Sequence, residues 1–369
     1  MLRAWELSWS IGIYTIQFDY RATATLFARL YNWNKFVHIS NMRILSIFFS
    51  IFFILPSLSK ADSMNTAIQS FEQGRFMHAL SGFFGLQDRE PNNGLIAYYL
   101  GRIALHEGNI EVAADQLSRA VDLDHTNGNY HYWLGRAYGD LATHANIFKR
   151  AYYAKKTKEE FQKTLTLDPA HIFARVALVM YELRAPGFLG GSREQAEQNA
   201  AIAARHNAIA GYRAYGLIYE QDKDYERAIK IYEKAVADAP HNFRPYRWLA
   251  GAYRLQRKYD KAFQVYKLRI NQPHPDWFAY YDFAATAVES GKQLQNAEYL
   301  LKAYITHGSS PEEPSISKAH QLLGEVLQKQ RKKKEAAREF RAAREMTKEQ
   351  TNATAMLSAN RSSKSTAQD

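Results

Sequence analysis

Residues 209–240 read IAGYRAYGLIYEQDKDYERAIKIYEKAVADAP, and their spacing decides the fold. Counting Ile209 as position 1, the large residues Tyr212, Tyr215, Tyr219, Tyr225 and Tyr232 fall at 4, 7, 11, 17 and 24. The small residues Gly216, Ala228 and Ala235 fall at 8, 20 and 27, and Pro240 at 32. Intervals of three and four place these residues on one face of each of two helices, with a turn at Lys223 and Asp224. Little or no side chain at Gly216, Ala228 and Ala235 lets two antiparallel helices approach closely while the tyrosines fill the gaps. Pro240 ends the second helix, because it has no N–H to donate and disfavours a helical residue before it. One such pair cannot bury its own apolar face, so it requires neighbours.

The neighbours are present. Units starting at 60, 94, 128, 172, 209, 243, 277 and 317 repeat the pattern; 60, 94 and 128 are evenly spaced, 209, 243 and 277 keep the same interval, and the other gaps are longer. Leu100-Gly101, Leu134-Gly135, Leu249-Ala250, Phe283-Ala284 and Leu323-Gly324 occupy positions 7 and 8, and Phe83, Leu117, Tyr266 and Phe340 occupy position 24. This register resembles the tetratricopeptide repeat, a 34-residue helix-turn-helix unit. The resemblance covers about residues 62–348. It implies an all-α, right-handed superhelical solenoid of about eight repeats.

Two units depart from the register. In the third, Phe161 and Pro169 reach positions 24 and 32 only if ten residues are inserted, so the extra material around Asp140–Tyr152 is expected to lengthen both helices and their connection. In the fourth, a first helix over about Ile172–Leu183 is interrupted by Ala185-Pro186-Gly187-Phe188-Leu189-Gly190-Gly191, and a second helix opens at Ser192. Ser192 with Gln195 is a capping-box signature, and Ala196, Ala200 and Ala203 mark its packed face. The glycine-rich stretch is not a P-loop, since Gly191 is followed by Ser192-Arg193 instead of Lys and Ser or Thr. It reads as an elbow between helices. Leu134–Gly139, Leu167-Asp168-Pro169 and this elbow together resemble a family of exported bacterial tetratricopeptide-repeat proteins.

The ends have other characters. Residues 1–41 match no repeat. From Met42-Arg43, an uncharged run Ile44–Leu55, then Pro56 and Ser59-Lys60-Ala61, have the three parts of a secretory signal peptide cut after Ala61. Met42 is then the expected start and 1–41 an upstream extension; the other reading keeps 44–58 as a membrane anchor, although about 20 apolar residues are usual for a span. Asp62 or Ser63 can cap the first mature helix. Residues 349–369, rich in Thr, Asn, Ser, Ala, Lys and Gln, are expected to form a disordered tail.

Composition narrows the function. The formal charge is +11, of which the segment 1–61, with six basic and two acidic groups, carries +4. The remaining bias suits anionic partners but is too weak to argue for nucleic acid. With no cysteine, disulfides, thiolate metal sites and cysteine nucleophiles are excluded. No Gly-x-Ser-x-Gly, His-Glu-x-x-His or isolated carboxylate pair stands out, so no catalytic residue and no cofactor is implied. His125, His131 and His144 near Asp122, Asp124 and Asp140 fit no metal-ligand spacing. The basic cluster Lys329, Arg331, Lys332, Lys333 and Lys334 reads as a solvated turn.

In proteins of the repeat family the first helices line the concave face, which here implicates Tyr98, Arg102, Tyr132, Arg136, Arg213, Arg244, Arg247 and Arg254. Tyr98 and Tyr132, like Arg102 and Arg136, stand one repeat length apart and are expected to stack. An aromatic, arginine-rich trough suits an extended partner segment with acidic groups, because Arg grips carboxylates bidentately and Tyr gives rigid amphipathic contact. The same residues could simply lie along a solvated helix face. Two functions follow: a non-enzymatic protein-interaction scaffold in the bacterial periplasm, or an accessory subunit that presents glycan to envelope polysaccharide or peptidoglycan enzymes.

Overall fold

The computed structural model describes residues 10–11, 14–15, 63–273 and 276–365. The chain forms two units, Met1–Lys60 and Ala61–Asp369. In the first, β1 (Ser10–Ile11) and β2 (Tyr14–Thr15) pair antiparallel, Ile11 opposite Tyr14. The signal-like segment 42–61 and Asp62 lie outside the described residues, and Ser63 is already helical.

The second unit is an all-helical solenoid of eight pairs. These are α1 (63–72) with α2 (Phe76–Arg89), α3 (Gly94–Glu107) with α4 (Ile110–Leu123), α5 (Gly128–His144) with α6 (Ile147–Leu167), and α7 (Ile172–Arg184) with α8 (Arg193–His206). There follow α9 (Ala208–Gln221) with α10 (Tyr225–Asp238), α11 (Phe243–Leu255) with α12 (Tyr259–Ile270), α13 (Trp277–Ser290) with α14 (Leu294–His307), and α15 (Ile316–Lys329) with α16 (Lys333–Ser365). Successive helices pack in sequence, and first helices also touch first helices: α3 meets α5, and α7, α9, α11, α13 and α15 meet in turn.

One contact recurs within the pairs. A Cβ added at Gly101 would lie 2.6 Å from Leu117, one at Gly135 would lie 2.8 Å from Phe161, and one at Gly324 would lie 2.6 Å from Phe340. At Gly216 it would lie 2.2 Å from the edge of the Tyr232 ring, which is wholly buried. Position 8 is therefore a notch that receives the position-24 side chain. Ala79, Ala113, Ala228 and Ala262, all at position 20, are fully buried beside it, as is Ala297 at position 21 of its unit.

The turn inside each regular pair also has a fixed geometry. Position 15 is left-handed in Gly74 (φ 71°), Gly108 (87°), Lys223 (60°), Arg257 (58°), Gly291 (72°) and Arg331 (65°). In five pairs the next N–H then reaches back to the position-11 carbonyl: Arg75 to Ser70 and Asn109 to Ala104 at 2.8 Å, and Asp224 to Tyr219, Lys258 to Tyr253 and Lys332 to Leu327 at 2.9 Å. This closes the helix end in the Schellman manner. Lys223, Arg257 and Arg331 bear a steric cost there that glycine avoids, since Cβ crowds the following carbonyl.

The insertions resolve simply. In the third pair the extra residues go into the helices, of 17 and 21 residues, and the connection is only 145–146, shorter than the sequence suggests. In the fourth, a short 3-10 turn (Gly187–Leu189) forms the elbow. Ser192 caps α8 by accepting from the Gln195 N–H at 3.2 Å, and Lys158 ties the elbow to α6 through the Gly190 carbonyl at 2.9 Å. Where the composition predicts a disordered tail from 349, α16 continues to Ser365. That stretch contains neither Pro nor Gly to stop it.

Gly216→Ala is expected to destabilise the fold by roughly 1–3 kcal/mol, because the Tyr232 ring has no room to retreat. Lys223→Gly is expected to stabilise it by up to about 1 kcal/mol through relief of the left-handed backbone. Urea unfolding followed by circular dichroism measures both; equal midpoints for all three chains would contradict the packing and turn assignments.

Candidate functional site

The first helices bring two arginines to one indole. The Arg102 guanidinium (α3) sits 4.1 Å from the ring centre of Trp133 (α5), 4.8 Å from that of Phe71 (α1) and 5.6 Å from that of Tyr98. Its Nη1 donates to the Tyr98 hydroxyl at 3.3 Å, whereas its buried Nε has no hydrogen-bond partner. Arg136, one turn beyond Trp133 and exposed, lies 4.3 Å from the same ring. The expected stacking of tyrosine on tyrosine does not occur. Tyr98 packs on Tyr130 at 5.1 Å and Tyr132 on His171 at 4.8 Å, while both arginines meet the Trp133 ring. Burial raises the Tyr132 phenol pKa, with the charge of Arg136 opposing it.

The other expected arginines are satisfied internally. Arg213 donates to Glu220 at 3.2 Å and to the Tyr232 hydroxyl at 2.6 Å, and that hydroxyl donates to Glu220 at 2.7 Å. Arg247 donates to Asp282 at 2.6 Å and lies 4.0 Å from the Phe278 ring centre; Arg254 donates to Glu289 at 2.7 and 3.0 Å. Both acceptors come 35 residues after their arginine, so these pairs join one repeat to the next. Sequence reading misses them when it scores arginines without looking one repeat further for a carboxylate.

Arg244 has a different partner. It donates to Glu312 at 2.8 Å, with its guanidinium near Phe173 (5.2 Å) and Phe243 (5.0 Å). Glu312 belongs to the α14–α15 connection, Gly308-Ser309-Ser310-Pro311-Glu312-Glu313-Pro314-Ser315. This polar loop is partly interior: Ser309 is 6% and Ser315 1% exposed. The Ser309 carbonyl abuts Gly74 so closely that a methyl group there would overlap it. The charges of Arg244 and Glu312 both act on Tyr132, and that of Lys318 (α15) acts on Asp140 (α5). First helices of the third, sixth and eighth pairs thus face one interior, and the trough expected to lie open holds part of the chain itself.

The histidines serve structure. His131 pairs with Glu160 at 2.6 Å and with the His125 carbonyl at 3.1 Å, and among the described residues no group of ligands could hold a metal ion. In the basic cluster, Arg331 forms the left-handed turn and Lys332 donates to Glu298 at 2.7 Å.

Sequence models of the family described as tetratricopeptide repeat match residues 67–128 and 219–285, so the chain carries such repeats in both halves of the solenoid. Among solved structures, the chain is similar to a tetratricopeptide repeat protein from Parabacteroides merdae, at 15% identity over 73% of this chain and 99% of that one, with a TM-score of 0.46. It is also similar to a thermophilic tetratricopeptide repeat protein of Thermus thermophilus, at 19% identity over 52% of this chain and 98% of that one, with a TM-score of 0.45. No curated protein matches the chain in sequence.

Glu298 lies between Lys302 (2.6 Å) and Lys332 (2.7 Å). Burial works against its charge, but hydrogen bonds from the two lysines outweigh burial and lower the carboxyl from 4.5 to about 2. A depressed acid stabilises the fold above its unfolded pKa and ceases to do so as pH falls through the folded one. Glu298→Gln is therefore expected to cost roughly 1–2 kcal/mol near neutrality, discounted for partial exposure, with the gap to the native chain narrowing as pH drops from about 4.5 toward 2. Urea titrations across that range check it; a gap independent of pH would contradict the assignment.

Proposed function

We propose that this chain is a non-enzymatic interaction scaffold that holds an extended partner segment against the inner face at Tyr98, Arg102, Tyr132 and Arg136, with Trp133 between the two arginines. Tetratricopeptide repeats generally serve as protein-interaction scaffolds, which supports the class. The observation that carries the site is the uneven satisfaction of the arginines. Arg213, Arg244, Arg247 and Arg254 each hold a carboxylate, whereas Arg102 and Arg136 meet rings and no carboxylate within ion-pair distance among the described residues. The partly buried Arg102 guanidinium, with no carboxylate paired to it, is costly, and an acidic partner group would relieve it, with the exposed Arg136 beside it adding attraction. The indole beneath adds a rigid surface of the kind that dominates binding interfaces.

The place of action belongs to the same proposal: export to the bacterial periplasm after removal of residues up to Ala61, in keeping with the signal-like segment and the Ala185–Gly191 elbow. No helix among the described residues is long and apolar enough to cross a membrane. A second reading, an accessory subunit presenting glycan to envelope enzymes, draws on a different place: Trp277 stacks on His307 at 3.9 Å beside Tyr299, which is 73% exposed. Such aromatic faces suit sugar rings.

Arg102→Glu combined with Arg136→Glu is expected to abolish affinity capture of a protein partner from the envelope fraction while circular dichroism stays helical. Undiminished capture would move the site elsewhere, and recovery of glycan without protein would favour the second reading. Mass spectrometry of the purified protein is expected to find Asp62 at the N-terminus; an intact Met1 would contradict export by cleavage.

A further inference from the structure

Segment 308–315 has the composition of a solvated linker, two prolines, two glutamates, three serines and a glycine, yet it runs inward. Gly308 starts it at φ 91° and ψ 173°, a backbone region that only glycine occupies readily, and this turns the chain away from the α14 axis. At the far end the segment is fastened: Pro314 accepts a hydrogen bond from the buried Tyr304 at 2.5 Å, and Ser315 is buried beside Ser317. The middle is held lightly. Its Glu313 folds back on the Ser310 N–H at 2.9 Å, leaving Glu312 to make the pair with Arg244. That pair is a third to a half exposed, at 36% and 55%, so its net worth is roughly 0–1 kcal/mol.

We propose that Pro311-Glu312-Glu313-Pro314 is an internal copy of the ligand that the inner face takes: a proline-flanked acidic turn, which binds by displacing this strap from Arg244. The inference rests on the scaffold reading and gives its partner a chemistry. Three features of the strap define that chemistry. Pro311 pre-sets the second residue of a turn that the Glu313 N–H closes on the Ser310 carbonyl at 3.0 Å, which lowers the ordering cost. A carboxylate meets Arg244 in the region where Tyr132 and Arg136 also lie. The strap's own backbone approaches closely at Ser309, whose carbonyl takes the space a side chain on Gly74 would fill. A tethered ligand of this kind competes by its high local concentration although each contact is weak. An incoming acidic segment that also reaches Arg102 and Arg136, which the strap leaves without a carboxylate, makes contacts the strap lacks and so can replace it.

A fluorescein-labelled synthetic peptide of sequence Gly-Ser-Ser-Pro-Glu-Glu-Pro-Ser is the probe, and fluorescence anisotropy the readout. It is offered to the native chain, to a strap variant of equal length (P311G, E312S, E313S and P314G), and to that variant carrying Arg244→Glu. The strap variant is expected to bind the peptide roughly two- to sixfold tighter than the native chain, as loss of a competitor worth up to about 1 kcal/mol gives, and Arg244→Glu is expected to remove the gain. Glu312→Gln, a milder change that leaves the loop backbone intact, is expected to give a smaller gain of the same sign and keeps the test open if the fourfold variant does not fold. Equal binding to native and released chains, no binding to any, or a gain indifferent to Arg244→Glu would overturn the inference. The two readings fail separately. Partner capture that depends on Arg102 and Arg136 but ignores strap release leaves the scaffold standing without its internal ligand; peptide binding through Arg244 with no Arg102-dependent capture overturns the scaffold site alone.

Discussion

A side chain the size of a phenol entering a space that a methyl group would fill is the contact on which this fold depends. Tyr232 over Gly216, Phe340 over Gly324, Phe161 over Gly135 and Leu117 over Gly101 are the same event in four pairs. Close packing makes it unforgiving, since neither partner can be enlarged without displacing a helix. It also fixes how near and in what rotation the two helices of a pair lie, and hence the step to the next pair. A regular step carried over eight pairs wraps the array until late elements meet early ones: α16 touches α3, and the loop before α15 touches Gly74.

Wrapping places charges from distant parts of the sequence in one interior. There the arginines divide by what neighbouring repeats supply. Arg247 and Arg254 receive Asp282 and Glu289 from the next pair, and Arg213 receives Glu220 from its own helix. The two inter-repeat pairs span the seams between first helices and hold adjacent repeats in register, each contributing modestly because it is partly exposed. Around Arg102 and Arg136 the neighbouring repeats present Phe71, Tyr98 and Trp133 instead, so cation–π contacts replace ion pairs. The inner face is consequently uneven: stapled by ion pairs toward the C-terminal repeats, and lined by arginine-ring contacts near the second and third.

The architecture is legible in the sequence because its cause is local. Glycine or alanine at position 8 with a large residue at 24 is visible in any one repeat, and Pro169 and Phe161 reveal the size of the third-unit insertion without coordinates. Helix caps carry an equally readable signal that the repeat register alone passes over: Asn93 and Asn127 stand one repeat length apart, and Asn242 and Asp276 likewise, each accepting from a backbone N–H at the start of its helix. The site is less legible. Asp282 and Glu289 can be found by reading one repeat onward from Arg247 and Arg254. The meeting of Glu312 with Arg244, 68 residues away, cannot, because it depends on accumulated curvature that no repeat encodes by itself.

Closure of the solenoid around a shared interior can be measured directly, and the absence of native cysteine makes the measurement clean. Asp140 on α5 and Lys318 on α15 are both exposed, far apart in sequence, and close enough for their charges to interact. With a spin label on a cysteine at each position, double electron–electron resonance is expected to give one narrow, short distance. A long or broad distribution would show that the third and eighth repeats do not face each other, and would contradict a closed interior.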